Sequence, residues 1–306
     1  MLLLTPMTRT LTIVALAFSA FFASPTWGNG AVLYGADGAQ GNPSSLRILN
    51  PATGALVSTV GPIGFAVTGL AVHPTTGVLY GSTAQLSATA PRSLITIDKG
   101  TGLGTLVGSF GLPGHTMADL TFGPDGTLYG WAEPDLDALH RINLTTGQAT
   151  RVGQFSIGVN TLGSGIAANA DVIFLAGREG RGPLYTVNRT NGIAGAVAFL
   201  DWRPRAAIGA MAFAPSGVLF GAGLPIDSGP VLVTINVLSG HVTEIGPTVD
   251  FLDAIAFDPP TFPPSPARAV PTLSQAAFVA MAVLLTAVAL YRMRRRGAFS
   301  SSAASR

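Results

Sequence analysis

Short apolar runs, each ended by a polar turn, recur along the chain between residues 30 and 260. In five places an apolar run ends in Asn or Asp and a Gly follows four positions later: Asn50/Gly54, Asp98/Gly102, Asn143/Gly147, Asn188/Gly192 and Asn236/Gly240. Asn and Asp bond their own backbone at turns, and Gly adopts a positive φ at little steric cost, so each unit predicts a hairpin turn. The turns lie 45 to 48 residues apart, which indicates a structural repeat.

Further apolar runs accompany each turn. One is a triplet that ends in an aromatic residue and Gly, with copies at residues 32–35, 78–81, 127–130 and 218–221 and a degenerate copy at 173–176. Another precedes this triplet, as in Leu70, Ala71 and Val72 before His73 and Pro74. Together with the runs on either side of each turn, they make four short strands per unit, which is typical of a β-propeller blade.

The first unit settles the number of blades. It begins directly at its second strand, and the missing innermost strand appears at the far end of the repeat, at residues 255–259. We therefore predict an all-β, five-bladed β-propeller over residues 29–260, closed by a C-terminal strand that completes the N-terminal blade. A six-bladed ring would need a unit that the sequence lacks, and an open solenoid would not explain the displaced strand.

Blade geometry sorts the connections onto two faces. The turns between the first and second strands and between the third and fourth strands of a blade share one side, the turn face. The remaining connections share the opposite side, the loop face. The five Asn/Asp turns fall on the turn face, so we expect any ligand site among the longer, more variable connections of the loop face.

Composition and charge narrow the class of protein. Charged residues make up only 10%, with 38 Gly and 22 Pro, which suits short strands and tight turns. The pI of 9.3 comes from the chain ends, because residues 29–269 carry 11 basic and 15 acidic side chains, a formal charge of −4. This balance argues against a nucleic-acid partner. With no Cys, the chain forms neither disulfides nor thiolate zinc sites.

Both chain ends indicate export. Residues 1–28 contain a basic residue, an apolar run and small residues, which predicts a helical secretory signal peptide, with an uncleaved anchor as the alternative. Residues 261–269 form a Pro-rich linker, and residues 273–291 are apolar and long enough for a transmembrane helix. An Arg cluster then acts as a stop-transfer signal and consists of Arg292, Arg294, Arg295 and Arg296. We expect residues 297–306 to be a disordered cytoplasmic tail and the propeller to lie outside.

Residues 270–296 resemble the IPTL-CTERM sorting signal of Gram-negative bacteria, a short motif followed by a transmembrane helix and an Arg-rich end. The motif residues are Val270, Pro271, Thr272, Leu273 and Ser274. Gln275 and Ala276 stand where the family pattern has Glu and Trp. The resemblance implies export, transient anchoring in the bilayer and cleavage near the motif by an exosortase-type membrane protease. The alternative is a permanent single-span anchor.

Candidate ligand-binding residues concentrate on the loop face. Aromatic, acidic and basic side chains fall in or beside its connections, and Asp119 and Asp253 begin inner strands that ring the mouth of the axial channel. The full set is Asp119, Trp131, Glu133, Asp135, Arg178, Arg181, Trp202, Arg203, Arg205 and Asp253. Exposed aromatics flanked by carboxylates and Arg suit sugar rings or peptides. The alternative is that these charges simply pair with one another.

The sequence gives less support for a metal site or for a known catalytic motif. Glu133, Asp135 and Asp137 offer oxygen ligands for calcium, although without a fixed loop spacing. The four His lie at unlike blade positions, so we predict no shared metal site and no other cofactor. The sequence contains neither a nucleophile elbow nor a His-Glu-x-x-His motif.

Two functions follow from these observations. The first is an exported, non-catalytic binding or structural protein of the cell surface, whose partners are a sorting protease and an extracellular polysaccharide or surface protein. The second is a secreted hydrolase or lyase that uses loop-face carboxylates such as Asp119 and Asp253 on polysaccharide or peptide. Propellers host many unrelated functions, so the fold does not choose between them.

Overall fold

The computed structural model describes residues 31–38, 41–133, 137–153, 164–177, 181–204 and 206–265. Every regular element within these ranges is a β-strand, and the strands form five four-stranded antiparallel sheets. The all-β, five-bladed propeller predicted from the repeat is therefore confirmed. The predicted signal helix and transmembrane helix fall outside the described residues.

Each blade runs from an innermost strand at the axis to an outermost strand at the rim. From the inside outward, the strands are β20 (Leu252–Asp258), β1 (Val32–Asp37), β2 (Ser45–Leu49) and β3 (Leu56–Pro62) in blade 1; β4 (Val67–Val72), β5 (Leu79–Thr83), β6 (Ser93–Ile97) and β7 (Gly104–Ser109) in blade 2; β8 (Thr116–Phe122), β9 (Leu128–Glu133), β10 (Ala138–Ile142) and β11 (Ala149–Arg151) in blade 3; β12 (Gly165–Ala168), β13 (Ile173–Ala176), β14 (Pro183–Val187) and β15 (Ala194–Phe199) in blade 4; and β16 (Ala206–Phe213), β17 (Leu219–Pro225), β18 (Val231–Ile235) and β19 (Val242–Pro247) in blade 5.

The two ends of the repeat meet in blade 1. Strand β20 pairs antiparallel with β1, with Val32 opposite Asp258 and Tyr34 opposite Ala256. The innermost strands β20, β4, β8, β12 and β16 contact one another in that order, and β16 contacts β20 again. The C-terminal strand thus closes the ring as predicted, and no blade edge is left open at the junction.

The hydrophobic core is divided among five seams, because one buried cluster lies between each pair of adjacent blades. The aromatic position of the repeated triplet always belongs to the cluster shared with the next blade, and its occupants are Tyr34, Tyr80, Tyr129, Phe174 and Phe220. Three of these rings meet an inner-strand Phe of the next blade edge-on, and the pairs are Tyr80–Phe122, Phe174–Phe213 and Phe220–Phe257. The repeated aromatic therefore serves packing between blades.

The five Asn/Asp turns form as the sequence predicts. Each turn Gly has a positive φ, between +71° and +84°. Its N–H donates to the carbonyl of the Asn or Asp at 2.8 or 2.9 Å. The side-chain oxygen of that Asn or Asp accepts the N–H two residues further on, at 2.8 to 3.0 Å. Each turn is thus closed by its own side chain and its own Gly.

The same glycines also define the rim of the ring. A Cβ added at Gly102 would lie 2.7 Å from the carbonyl oxygen of Gly61, on the outermost strand of the preceding blade. A Cβ at Gly54 would lie 2.8 Å from the carbonyl oxygen of Gly246, across the seam that joins blade 5 to blade 1. The equivalent pairs at the other seams are Gly147 with Gly108, Gly192 with Val152, and Gly240 with Phe199. The turn Gly is therefore required by the seam as well as by the hairpin.

Residues 261–265, which we predicted as the start of a linker, lie against the turn face. Thr261 donates its hydroxyl to the carbonyl of Ala214 at 2.7 Å, and the Ala170 N–H donates to the carbonyl of Pro263 at 3.0 Å. Phe262 packs against the apolar clusters on both sides of blade 3. The Pro-rich composition predicts an extended segment but does not reveal that apolar and hydrogen-bonding groups of the ring hold it. Residues 266–269 lie outside the described residues.

Three Gly→Ala substitutions separate the two demands on the turn glycine. We expect Gly195→Ala to leave the unfolding free energy unchanged or to raise it by about 0.5 kcal/mol, because Gly195 lies in an outer strand with open space around it. Gly64→Ala should cost about 1–2 kcal/mol, since Gly64 has a φ of +83° and also has open space. Gly102→Ala, with a φ of +84°, should cost about 1–3 kcal/mol more than Gly64→Ala because of the backbone of Gly61.

Denaturant unfolding of the three variants measures these differences. Equal losses in Gly64→Ala and Gly102→Ala would contradict the role of the turn glycine at the seam.

Candidate functional site

Asp119 lies at the axis, on β8, in a layer of otherwise small side chains. The equivalent positions of the other four inner strands are Gly69, Gly165, Ala210 and Ala254. The space is tight, because a Cβ added at Gly69 would lie 2.7 Å from the Cα of Asp119. One carboxylate therefore fills the centre of the ring, and it is completely buried.

The Asp119 carboxylate accepts hydrogen bonds from three blades. Its Oδ1 accepts the N–H of Leu120 in its own strand at 2.8 Å. Its Oδ2 accepts the N–H groups of Ile166 in blade 4 at 2.9 Å and of Met211 in blade 5 at 3.1 Å. Inner strands have an edge that faces the axis, and its N–H groups need acceptors. The expectation that Asp119 is accessible at the channel mouth is therefore wrong, because its carboxyl group is buried and hydrogen-bonded to the backbone of the ring.

Asp253 lies one position nearer the loop face, on β20. It is the extra residue of a β-bulge, where Ala36 pairs with Ala254 and Asp37 pairs with Leu252. Burial raises the pKa of this half-buried carboxyl from 3.8 to about 7. Burial also raises the pKa of Asp119, against the lowering effect of its three amide donors, and the charge of Asp253 adds to the rise. The axis thus holds two carboxyls that resist ionisation.

Towards the turn face the channel is nearly filled. The inner strands of all five blades and residues 260–262 enclose a cavity of about 40 Å³. Its lining is apolar apart from backbone and the hydroxyls of Thr121 and Thr261, and Thr121 accepts the N–H of Ala168 at 3.0 Å. This cavity is much smaller than the pockets that hold small-molecule ligands.

Three of the predicted loop-face residues come together between blades 4 and 5. Arg203 forms an ion pair with Glu244, with the Nη2 donating to Oε2 at 2.6 Å. The indole N–H of Trp202 donates to the Oε1 of Glu244 at 2.8 Å, and Arg181 donates to the carbonyl of Trp202 at 3.2 Å. The hydrogen bond from Arg203 is the main cause that lowers the pKa of Glu244. Side-chain pairing, the alternative that the sequence left open, therefore accounts for much of this cluster.

The two tryptophans are buried, so the expectation that they are exposed aromatics is wrong. Trp131 lies in the seam between blades 3 and 4 and is 2% exposed. Trp202 lies in the seam between blades 4 and 5 and packs over Gly223, where an added Cβ would lie 2.5 Å from the indole ring. A single sequence does not distinguish an aromatic side chain in a seam between blades from one on the surface.

The acidic cluster of blade 3 is also mostly interior. Glu133 and Asp137 are both buried, and Asp137 has a φ of +36°. The neighbouring His140 is buried with its Nδ1 at 3.0 Å from the carbonyl oxygen of Ala138, and burial lowers its pKa. Among the described residues, no three His, Asp or Glu side chains are grouped as a metal site. Asp135 lies outside the described residues, so the calcium site at Glu133, Asp135 and Asp137 stays a prediction.

Other predicted residues also lie outside the described residues: Arg178, Arg205, the motif Val270, Pro271, Thr272, Leu273 and Ser274, and the cluster Arg292, Arg294, Arg295 and Arg296. No helix of the described part of the chain is long and apolar enough to cross a membrane. Sequence reasoning missed Glu244, the shared partner of Trp202 and Arg203. The signal was weak, because Glu244 is one polar residue in the outer strand of a blade, where polar residues are usual.

We expect the Asp253 carboxyl to make the ring less stable as the pH rises from about 4 to about 7. The folded protein keeps a proton up to about pH 7 that the unfolded chain loses near pH 3.8. The stabilisation is complete below the lower value and is lost as the pH passes the higher one. Between pH 5 and pH 8, Asp253→Asn should therefore lose about 2 kcal/mol less unfolding free energy than the wild type.

Asp98→Asn is the matched control for the pH series, because Asn occupies the equivalent position in the other four turns. Hydrogen bonds, first that from the Thr101 side chain, lower the pKa of Asp98, so its titration lies below this pH range. Its profile from pH 5 to pH 8 should be parallel to that of the wild type. A parallel profile for Asp253→Asn as well would contradict the assignment.

Comparisons with known proteins give distant structural similarities and one match at the C-terminal end. Similar solved structures include TolB from Acinetobacter baumannii, with 18% identity and a TM-score of 0.46, over 72% of this chain and 53% of that one. A protein of unknown function from Bacteroides caccae is similar with 12% identity and a TM-score of 0.45, over 74% of this chain and 98% of that one. This chain thus spans about half the length of the TolB chain. No curated protein matches the sequence.

The family comparison concerns residues 268–295, which match the model of the IPTL-CTERM motif. The match includes the residues on which the resemblance was based. Such a motif implies processing by an exosortase-type sorting enzyme. The chain is therefore a β-propeller that carries an IPTL-CTERM sorting signal, which indicates an exported protein.

Proposed function

We propose that this protein is an exported, non-catalytic binding or structural protein of the cell surface or its polysaccharide matrix. An exosortase-type enzyme would cleave the chain near residues 270–274 and release the ring from a transient membrane anchor. The observation that carries this proposal is the IPTL-CTERM match at residues 268–295, directly after the propeller.

The way in which the ring holds its C-terminal segment is compatible with such cleavage. Ser265 is bound at the turn face, where its N–H donates to Asp171 at 3.0 Å and its hydroxyl accepts from Asn169 at 3.0 Å. The motif match begins only three residues later, at residue 268. Cleavage near residue 270 would leave residues 260–265 in place across the channel, so the anchor can be removed while the fold stays closed.

The burial of Asp119 argues against a catalytic role for this carboxyl group. A general acid or base must reach a proton on the substrate. Asp119 is completely buried, and both of its oxygens accept backbone N–H groups.

On the loop face, Arg203 remains 46% exposed while Glu244 holds it in place. A fixed, exposed guanidinium suits the recognition of a partner rather than the cleavage of one.

One observation favours the alternative, a hydrolase or lyase. Asp253 has a pKa of about 7, which suits a general acid at neutral pH. It is half-buried near the loop-face end of the channel, whereas Asp119 is occupied. The alternative would be favoured if the wild type released reducing ends from surface polysaccharide and Asp253→Asn did not.

Mass spectrometry of the exported protein tests the proposal. In a bacterium with an exosortase-type enzyme, we expect the wild-type chain to be released without the residues after about position 273. Pro271→Ala changes the motif and should leave uncleaved protein in the membrane fraction. The control Pro266→Ala lies before the match and should be processed normally. A released protein that retains the Arg cluster at 292–296 would contradict the proposal.

A further inference from the structure

A second feature of the ring, away from the cluster around Arg203, lies at the seam where the ring closes. The connection from β19 to β20 and the neighbouring strands of blade 1 line a cleft of about 550 Å³. Its lining includes Asp37, Arg47, Leu56, Thr248, Asp250 and Phe251. The volume falls in the range of pockets that hold small-molecule ligands.

Phe251 is the unusual residue of this cleft. It is 64% exposed and has a φ of +58°, a left-handed conformation that costs a non-Gly residue about 1–2 kcal/mol. The residues at the equivalent register position of blades 2, 3 and 5 are Ala66, Thr116 and Ala207, and none of them has a positive φ. The fold therefore does not require this conformation at this place in a blade. Strained residues that gain no packing are characteristic of functional sites.

Two backbone hydrogen bonds fix the main chain at Phe251. The N–H of Gly38 donates to the carbonyl of Phe251 at 3.1 Å, and the N–H of Leu252 donates to the carbonyl of Val249 at 3.3 Å. Leu56, 46% exposed, adds a second apolar surface to the cleft. The lining of the cleft thus includes an exposed aromatic ring and an exposed aliphatic side chain.

Polar groups lie in the same cleft. Arg47 donates to Asp37 through its Nε at 2.8 Å, and this pair is largely buried, with exposed fractions of 23% and 16%. The hydroxyl oxygen of Thr248 is buried and has no hydrogen-bond partner among the described residues. Asp250 is exposed at the rim. The cleft thus offers an aromatic face, hydrogen-bonding groups and one more acidic than basic side chain.

We propose that this cleft binds a neutral sugar, as a mono- or disaccharide unit of a glycan. The apolar face of a pyranose ring stacks on Phe251, and its hydroxyls hydrogen-bond with Asp250 and the Asp37–Arg47 pair. The excess of acidic groups disfavours uronic acids and other anionic sugars. The site deepens the proposed binding function and rests on it, but it does not depend on C-terminal cleavage.

Calorimetric titration of the full-length protein, in a detergent without a sugar headgroup, tests the site. The probes are maltotriose and cellotriose, which are neutral, and trigalacturonic acid, which is anionic. We expect at least one neutral probe to bind and the anionic probe to bind at least about tenfold more weakly. No binding by either neutral probe, or tighter binding of the anionic one, would overturn the proposal.

Phe251→Gly separates a ligand-binding residue from a structural one. Gly relieves the positive φ, so this variant should melt at the same or a higher temperature while its affinity for the neutral probe falls by at least about tenfold. Phe251→Tyr should keep the affinity within about threefold, because the ring remains. A lower melting temperature in Phe251→Gly would make the residue structural and overturn the site.

Phe199→Ala is the matched control, because Phe199 is 68% exposed on the outer strand of blade 4, outside the cleft. It should bind as the wild type does. Binding of a neutral probe that survives in Phe251→Gly would place the ligand elsewhere on the ring, which overturns this site and leaves the proposed binding function intact.

Discussion

The hydrogen bonds between one buried carboxylate and three backbone amides hold the centre of this ring. Five inner strands converge on the axis, and each presents an unpaired edge towards it. Asp119 supplies acceptors to Leu120, Ile166 and Met211, in a layer where the other strands have only Gly or Ala. A buried carboxylate costs desolvation, and the raised pKa of Asp119 reflects that cost. Its hydrogen bonds offset this cost by joining blade 3 to blades 4 and 5, whose own side chains in this layer are too small to do so.

The periphery of the ring is held by contacts that repeat at each seam between blades. At each of five seams a turn glycine lies against the outer strand of the preceding blade, and an aromatic ring of the repeat packs into the next blade. The seam between Gly54 and Gly246 closes the ring with the same contact as the others. The repeat length is therefore set by the contacts between blades as much as by the strands within one.

Local chemistry explains how much could be predicted from the sequence. The Asn/Asp-to-Gly spacing is a property of single hairpins, so it predicted the number of blades, and the displaced strand at residues 255–259 predicted closure through β20. Whether Trp131 lies on a seam, which amides Asp119 accepts and whether Phe262 is bound all depend on neighbouring blades. The positive φ of Phe251 has no signature in the sequence, because Phe is rare in that conformation. The cleft around Phe251 thus lies where the chain departs from its repeat. Among the functional features, only the sorting signal could be predicted from the sequence.

The exchange of single backbone amides with deuterium in Asp119→Ala tests the role of the axial carboxylate most directly. Alanine occupies the equivalent position in blades 5 and 1, as Ala210 and Ala254, so the backbone can accommodate it. The amide of Ala168 is an internal control, since it donates to Thr121 and not to Asp119. The account predicts that the amides of Ile166 and Met211 exchange at least about tenfold faster than in the wild type, while Ala168 is little changed. Unchanged protection of Ile166 and Met211 would contradict it.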